Sequence, residues 1–288
     1  MAELTLKDVS YIYSAGTPFE KKALDNVNIS FKSGVITGLI GHTGSGKSTL
    51  VQLLNGLLEP TEGTILLDGE DIWKNPKDIT SVRFKVGLVM QYPEYQLFEE
   101  TVRKDIAYGP TNMKLEKEEI EKRVSEAAFF CGITDEYFDK SPFDLSGGQK
   151  RRVAIAGVMA MKPGILILDE PAAGLDPIGR EEILGGIRTF QRQTGTTVII
   201  VSHSMEDMAV YCDEIVVMNK ASVYMQGKTS DIFAQSDKLI EVGLDVPQIT
   251  HLFKKMRSMG LNVPENVFTV DSAIKATLLA LEKRGGAR

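Results

Sequence analysis

The sequence predicts an α/β protein: a mostly parallel sheet flanked by helices, with an N-terminal antiparallel β subdomain, a helical subdomain and a small α-rich C-terminal domain. Three observations carry that prediction. A short β-prone run, Val35 to Ile40, ends in the glycine-rich loop Gly41-His42-Thr43-Gly44-Ser45-Gly46-Lys47-Ser48-Thr49, after which Leu50, Leu53, Leu54 and Leu57 recur at helical spacing. A second apolar run, Ile165 to Leu168, has no polar alternation, as in a parallel strand covered on both faces, and it ends in Asp169-Glu170. Two helix-spaced apolar series close the chain.

Taken in order, Leu4 to Val9 and Val27 to Phe31 alternate apolar and polar positions as half-buried strands do, which predicts an antiparallel edge sheet. The loop from Gly41 to Ser48 has a physical cause for its spacing. Wrapping a phosphate needs successive backbone N–H groups turned inward with no Cβ in the way, and the following helix N-terminus adds partial positive charge. Lys47 is then placed to bridge the β- and γ-phosphates of a nucleotide and Ser48 to ligate Mg²⁺. Gln91 follows an apolar strand from Val86 to Met90.

Long charged helices between about residues 93 and 162 predict a helical subdomain, and the charged stretch Lys114 to Lys122 reads as one of its solvated faces. Arg151 and Arg152, set among Val153, Ile155 and Val158, likewise read as an exposed helix face. Asp169 sits at the carboxyl end of its strand, where open α/β sheets bind ligands, and can hold Mg²⁺ through water. Glu170 reaches the space beyond the γ-phosphate and is the candidate general base. Such a pair is often only a solvated corner; the phosphate loop beside it favours chemistry.

The domain reading is residues 1–235 for the nucleotide-binding unit and 236–288 for the small C-terminal domain. In the latter, Ile249, Leu252, Phe253 and Met256 follow Pro247, and Ile274, Leu278 and Leu281 follow an Asp271 cap. The ending KRGGAR is expected to fray.

Composition excludes several classes. Lys and Arg total 33 against 39 Asp and Glu, a net charge of −6, the wrong sign for holding nucleic acid by phosphate neutralisation, so no nucleic-acid partner is expected. Cys131 and Cys212 stand far apart without metal-ligand spacing, which argues against a disulfide framework or zinc site and for a reducing compartment. The N-terminus has no cationic segment leading into an apolar run, and no uncharged stretch approaches the roughly 18 residues of a spanning helix. The chain is expected to be soluble and to stay inside the cell.

The ordered set of motifs resembles the ATP-binding subunit of ABC transporters: the loop GHTGSGKST, Gln91, the signature Leu145-Ser146-Gly147-Gly148-Gln149, the run ILILDE, the turn Gly174-Leu175-Asp176, and Ser202-His203 after the strand Thr197 to Val201. The resemblance spans roughly residues 3 to 235. It implies a P-loop NTPase core of ABC type that binds ATP with Mg²⁺, and a signature that faces the ATP of a second cassette, so that two chains close around nucleotide. It implies that Gln91 contacts Mg²⁺ and attacking water, that His203 contacts the γ-phosphate, and that Asp176 communicates between the paired sites. It assigns base stacking to an aromatic residue near the N-terminus; Tyr13 is the best match, with Tyr11 as the alternative.

A finer resemblance lies in Gln91-Tyr92-Pro93-Glu94-Tyr95-Gln96-Leu97-Phe98-Glu99-Glu100-Thr101-Val102 and in the insertion Gly16 to Lys22. Both look like the ATPases of energy-coupling-factor transporters, which import vitamins and transition-metal ions. The QLFEETV segment and Asp169-Glu170-Pro171-Ala172-Ala173-Gly174 are closer to the second of their two ATPases, with Ala172 standing where relatives usually carry Thr.

The partners so implied are a second ABC ATPase, related or identical, a transmembrane coupling subunit and a small substrate-capture membrane protein, with this chain peripheral at the cytoplasmic face of the cell membrane. Glu94, Tyr95, Leu97 and Phe98 are the docking candidates, with core packing as their alternative. The tail is expected to help hold the two ATPases together, with a simple cap on the main sheet as its alternative. The rival functions are an ATPase of an ordinary ABC importer, an ABC ATPase outside transport, and a nucleotide-gated switch without turnover.

Overall fold

In the computed structural model, which describes residues 2–285, two sheets share one core and a layer of helices builds a second. The elements in chain order are β1 (Leu4–Tyr13), β2 (Lys21–Phe31), β3 (Ile36–Gly41), α1 (Lys47–Leu54), β4 (Glu62–Leu67), β5 (Glu70–Asp71), α2 (Ile79–Lys85) and β6 (Val86–Val89). Then come α3 (Val102–Asn112), α4 (Lys117–Phe130), α5 (Gly147–Met159), β7 (Ile165–Asp169), α6 (Pro177–Thr194), β8 (Thr197–Val201), α7 (Met205–Tyr211), β9 (Glu214–Asn219) and β10 (Ser222–Lys228). Four helices end the described chain: α8 (Thr229–Phe233), α9 (Ser236–Glu241), α10 (Gln248–Ser258) and α11 (Val270–Gly285).

The main sheet runs β10-β9-β3-β8-β7-β6, parallel throughout except where β10 joins β9. The unbroken apolar runs now have their reason. Successive strand residues point to opposite faces, so Ile165 and Ile167 enter one core with Ile199 and Val201, while Leu166 and Leu168 enter the other with Val198 and Ile200. Because β3, β6, β7 and β8 are parallel, their carboxyl ends share one edge, and the loops that follow them carry the glycine-rich turn, Gln91, Asp169-Glu170 and Ser202-His203 to that edge.

The N-terminal strands are longer than expected and form, as expected, an antiparallel subdomain sheet of their own, β2-β1-β4-β5. It packs across Leu50, Leu53 and Leu54 of α1 onto the main sheet. The insertion before Lys22 is the loop of the β1–β2 hairpin.

The C-terminal reading changes in three places. Leu239, Leu244 and Val246 belong to the main core, so the separate cluster, Phe253, Val267 and Ala273 with Ile249 and Met256 against it, starts after Pro247. Leu252, Ile274 and Leu278 are more than half-exposed, and Ala273 and Ala276 face the cluster in their place. The cap of α11 is Thr269, whose hydroxyl accepts from the Ser272 N–H at 3.2 Å, and Asp271 lies in the first turn. α11 continues to Gly285; the rest of the KRGGAR ending and the Leu281 side chain lie outside the described residues.

Candidate active site

The glycine-rich loop is built by close packing. Gly46 has φ +105°, and a Cβ there would sit 2.6 Å from the Ala23 carbonyl oxygen and 2.8 Å from Leu24 Cδ2, so only glycine lets β2 approach the start of α1. Lys47, the first residue of α1, is buried, and its ammonium folds back to donate to the carbonyls of Gly41 at 2.5 Å and His42 at 3.1 Å. Burial lowers its pKa, while the charges of Glu170 and Asp169 work in the other direction. The His42 ring lies 2.9 Å from the Thr43 carbonyl and 3.1 Å from Asn219 Oδ1, tying the loop to the end of β9. Ser45 Oγ is buried and has no hydrogen-bond partner.

Opposite the loop, Asp169 ends β7 and Glu170 follows in a left-handed turn, φ 53°, pinned by its N–H to the Val201 carbonyl at 2.9 Å. Burial, then the charge of Asp169, pushes the Glu170 carboxyl from 4.5 up to about 6, and burial also raises Asp169. Glu170 Oε1 is buried without a hydrogen-bond partner; His203 Nε2 stands 3.7 Å away, too far to supply one. Burial, then Lys47, lowers the pKa of His203, which keeps its imidazole neutral at neutral pH.

These groups share one cleft of about 310 Å³. Thr43, Gly44, Gly46, Lys47, Ser48 and Thr49 line one side, and Gln91, Asp169, Glu170 and His203 the other. Tyr13 closes an end, its hydroxyl 3.2 Å from Thr49 Oγ1; Tyr11 stacks edge-on against it at 4.8 Å and packs on the core instead. Gly41, His42 and Ser45 belong to the loop without lining the cleft. Lys21 and Ala23 of β2 also line it, which the sequence did not signal because only the hairpin's fold brings β2 there, and Val201 lines it at the end of β8.

The donor set fits a hard cation. A hydroxyl from Ser48, an amide from Gln91 and a carboxylate from Asp169 converge on the cleft, while among the described residues no three His, Cys, Asp or Glu side chains cluster as a metal site. Oxygen donors with one charge, completed by phosphate oxygens, are what Mg²⁺ accepts.

The signature occupies different ground. Ser146 caps α5 in a reciprocal box: its Oγ accepts from the Gln149 N–H at 3.3 Å, and its own N–H donates to Gln149 Oε1 at 2.9 Å. Asp176 caps α6 through the Gly179 N–H at 2.8 Å. Ser146, Gly148, Gln149 and Asp176 line a second cleft of about 370 Å³ that shares no residue with the first, and nothing lies near Gly147 that a Cβ would meet.

Two expectations for the helical region are corrected. Arg151 is buried, not solvated: its guanidinium holds Glu94 with two hydrogen bonds, 2.8 and 3.1 Å, and donates to the Ala173 carbonyl. Arg152 pairs with Glu182 of α6. A helix beside a sheet has few truly exposed faces, and the aliphatic neighbours of this pair did not reveal which one it took. Of the docking candidates, Leu97 is core and Glu94 is spent on Arg151, leaving Tyr95 and Phe98 exposed at 84% and 57%. Burial works against ionising Glu94, yet its hydrogen bonds from Arg151 hold the carboxyl below its ordinary pKa.

A loop of this geometry facing a strand-end carboxylate pair is the apparatus of a nucleotide-hydrolysing cassette, and the comparisons agree. The ABC transporter pattern matches residues 24–173, just over half of the chain. The Energy-coupling factor transporter ATP-binding protein EcfA2 of Clostridium perfringens is 52% identical over 276 residues, covering 96% of this chain and 97% of the relative. That of Symbiobacterium thermophilum is 50% identical over 284 residues, covering 99% and 98%.

Among solved structures, cbiO1 of Clostridium perfringens, described as part of the ABC transporter complex cbiONQ, matches with TM-score 0.74 and 42% identity over 87% of this chain and 98% of its own. The cassette MJ0796, solved as a dimer in a post-hydrolysis state with ADP and Pi, matches with TM-score 0.71 and 29% identity over 78% of this chain and 98% of its own. The chain belongs to the ABC transporter family. Within it, the chain is one of the ATP-binding proteins of energy-coupling factor transporters.

Proposed function

We propose that this chain binds and hydrolyses ATP at a site completed by a second cassette and so energises uptake through an energy-coupling factor transporter of vitamins or metal ions. The observation that carries this reading is that the phosphate-loop cleft and the signature cleft share no residue. On this reading each cleft holds half of a site.

In the first half, the loop amides and Lys47 take the phosphates, and Tyr13 stacks on the base. Ser48, Gln91 and Asp169 would hold Mg²⁺, which would supply charge neutralisation for the phosphates. Glu170 orients a water with its unpartnered Oε1 and accepts its proton. Neutral His203 and Gln91 position the γ-phosphate and that water, and Ser146 with Gly148 of a second cassette closes over the γ-phosphate. Because the closed pair adds the signature's contacts to ATP already held by the first surface, ATP binds it more tightly and shifts the equilibrium toward closure. Reopening after hydrolysis then moves the membrane subunits, with Asp176 linking the paired sites.

The cassette works at the cytoplasmic face of the membrane, with a second ATPase, a transmembrane coupling subunit and a small substrate-capture protein. On this reading the chain reaches the bilayer through those partners; among the described residues no helix is long and apolar enough to cross a membrane. Tyr95 and Phe98 face the coupling subunit, and the α10–α11 unit helps hold the two ATPases together.

The test is a mild-detergent pull-down of the tagged chain from its native membranes, with mass spectrometry of the co-purifying proteins. A second ABC ATPase, one coupling protein and several alternative small membrane proteins support the reading. A single dedicated permease pair returns the chain to an ordinary importer, and no membrane protein at all overturns transport.

A further inference from the structure

Among the described residues, the most heavily engaged charged side chain outside the cleft is Arg151. It lies on the helix that begins with the signature, is 5% exposed, and spends its guanidinium on two loops at once. Nε and Nη2 hold both oxygens of Glu94, three residues after Gln91, and Nη1 donates to the carbonyl of Ala173, three residues after Glu170. Both loops leave their strands through a non-glycine residue in the left-handed region, Tyr92 at φ 56° and Glu170 at φ 53°. Backbone of that kind persists only where its surroundings over-determine it. Arg151 clamps the chain just beyond each of the two turns.

We propose that Arg151 is a positioning residue for hydrolysis: it locks the Gln91 loop and the Glu170 turn to each other and to the signature helix. A shift of α5, or of the Glu94–Phe98 segment with its exposed Tyr95 and Phe98, is thereby carried to both groups that position water. A lysine would not serve. Its point charge cannot hold a carboxylate through two parallel bonds and a carbonyl in a third direction together. The inference rests on the reading of Glu170 as the base and Gln91 as its companion.

Steady-state ATP hydrolysis of the assembled transporter, with thermal unfolding of each variant, tests it. Arg151→Lys is expected to hold KM for ATP within about twofold while kcat falls roughly tenfold to a hundredfold, the scale of an ångström-sized misplacement. Arg151→Met leaves the partly buried Glu94 unpaired and is expected to lower Tm as well. The double variant Arg151→Met/Glu94→Met removes both charges together, so Tm is expected to recover while kcat stays low.

If kcat recovers along with Tm in the double variant, the ion pair serves stability alone and the proposal falls; wild-type kcat in Arg151→Lys overturns it equally. Glu170→Gln, run in parallel, separates the two readings. Loss of turnover there beside unchanged kcat in the Arg151 variants rejects this inference and keeps the base, whereas turnover retained by Glu170→Gln removes both.

Discussion

The two clefts differ in how their polar atoms are satisfied. In the phosphate-loop cleft the groups are unfinished: Glu170 Oε1 has no partner, and Lys47 is turned back on the loop's own carbonyls. In the signature cleft every named side chain is occupied by its own helix, Ser146 and Gln149 in a capping box and Asp176 on Gly179. The first surface holds charged groups in a cost that a ligand relieves. The second is a quiet surface presenting a helix N-terminus, and on the proposed reading it acts only on a phosphate that another molecule brings. Binding and turnover should therefore be separable by mutation, binding on the first surface alone and turnover on both.

The largest expected effect is Glu170→Gln, which should retain ATP binding and lose roughly a hundredfold to ten-thousandfold in turnover, the range for a positioned acid–base group. Single-turnover hydrolysis beside equilibrium nucleotide binding measures both, and hydrolysis near the unmutated rate would end the assignment.

Next in size is Ser146→Arg. The bulky cation occupies the second cleft only, so ATP affinity of the single chain should stay within about twofold while turnover of the pair falls at least about tenfold, as expected when an interaction made only in the closed pair is lost. Equal loss of binding would mean that the clefts are not independent.

A smaller effect should appear with pH. Glu170 must be ionised to accept a proton, and its raised pKa of about 6 means turnover declines as pH falls through that value. Stability moves the other way: a carboxyl with a raised folded pKa stabilises the fold while protonated and loses that contribution as pH rises from 4.5 through about 6. The Tm gap between the wild type and Glu170→Gln, followed from acid to neutral pH, should open in favour of the glutamine variant. A gap that does not change with pH refutes the shift.

The smallest is Ser146→Ala, which removes the α5 cap and should cost about 1 kcal/mol in chemical denaturation. A neutral result would show that the box is replaced by water in solution.

Much of the first cleft was legible in the sequence because its parts are local. Gly46 must be glycine where the chain takes φ +105° against Ala23, and Asp169 must end a buried strand to reach the sheet edge. Such constraints act over a few residues and leave fixed letters at fixed spacing. Arg151 was misread for the opposite reason. Its partners, Glu94 and Ala173, are 57 and 22 residues away, so nothing in its neighbourhood distinguishes a buried clamp from a solvated cation. Leu97, Ile274 and Leu278 show the same limit, since apolar spacing says that a face exists without saying what covers it.

The sequence by itself determined the strand–loop–helix that cradles phosphate, the carboxylate pair, the signature and their order, because hydrogen-bonding geometry and period-two burial act along the chain. Only the tertiary structure decided that Lys21 and Ala23 join the cleft, that Tyr13 rather than Tyr11 faces it, and that Arg151 ties the two loops together. Those are matters of which distant surfaces meet, and they follow from how the two sheets and the helical layer pack around their cores rather than from any local rule.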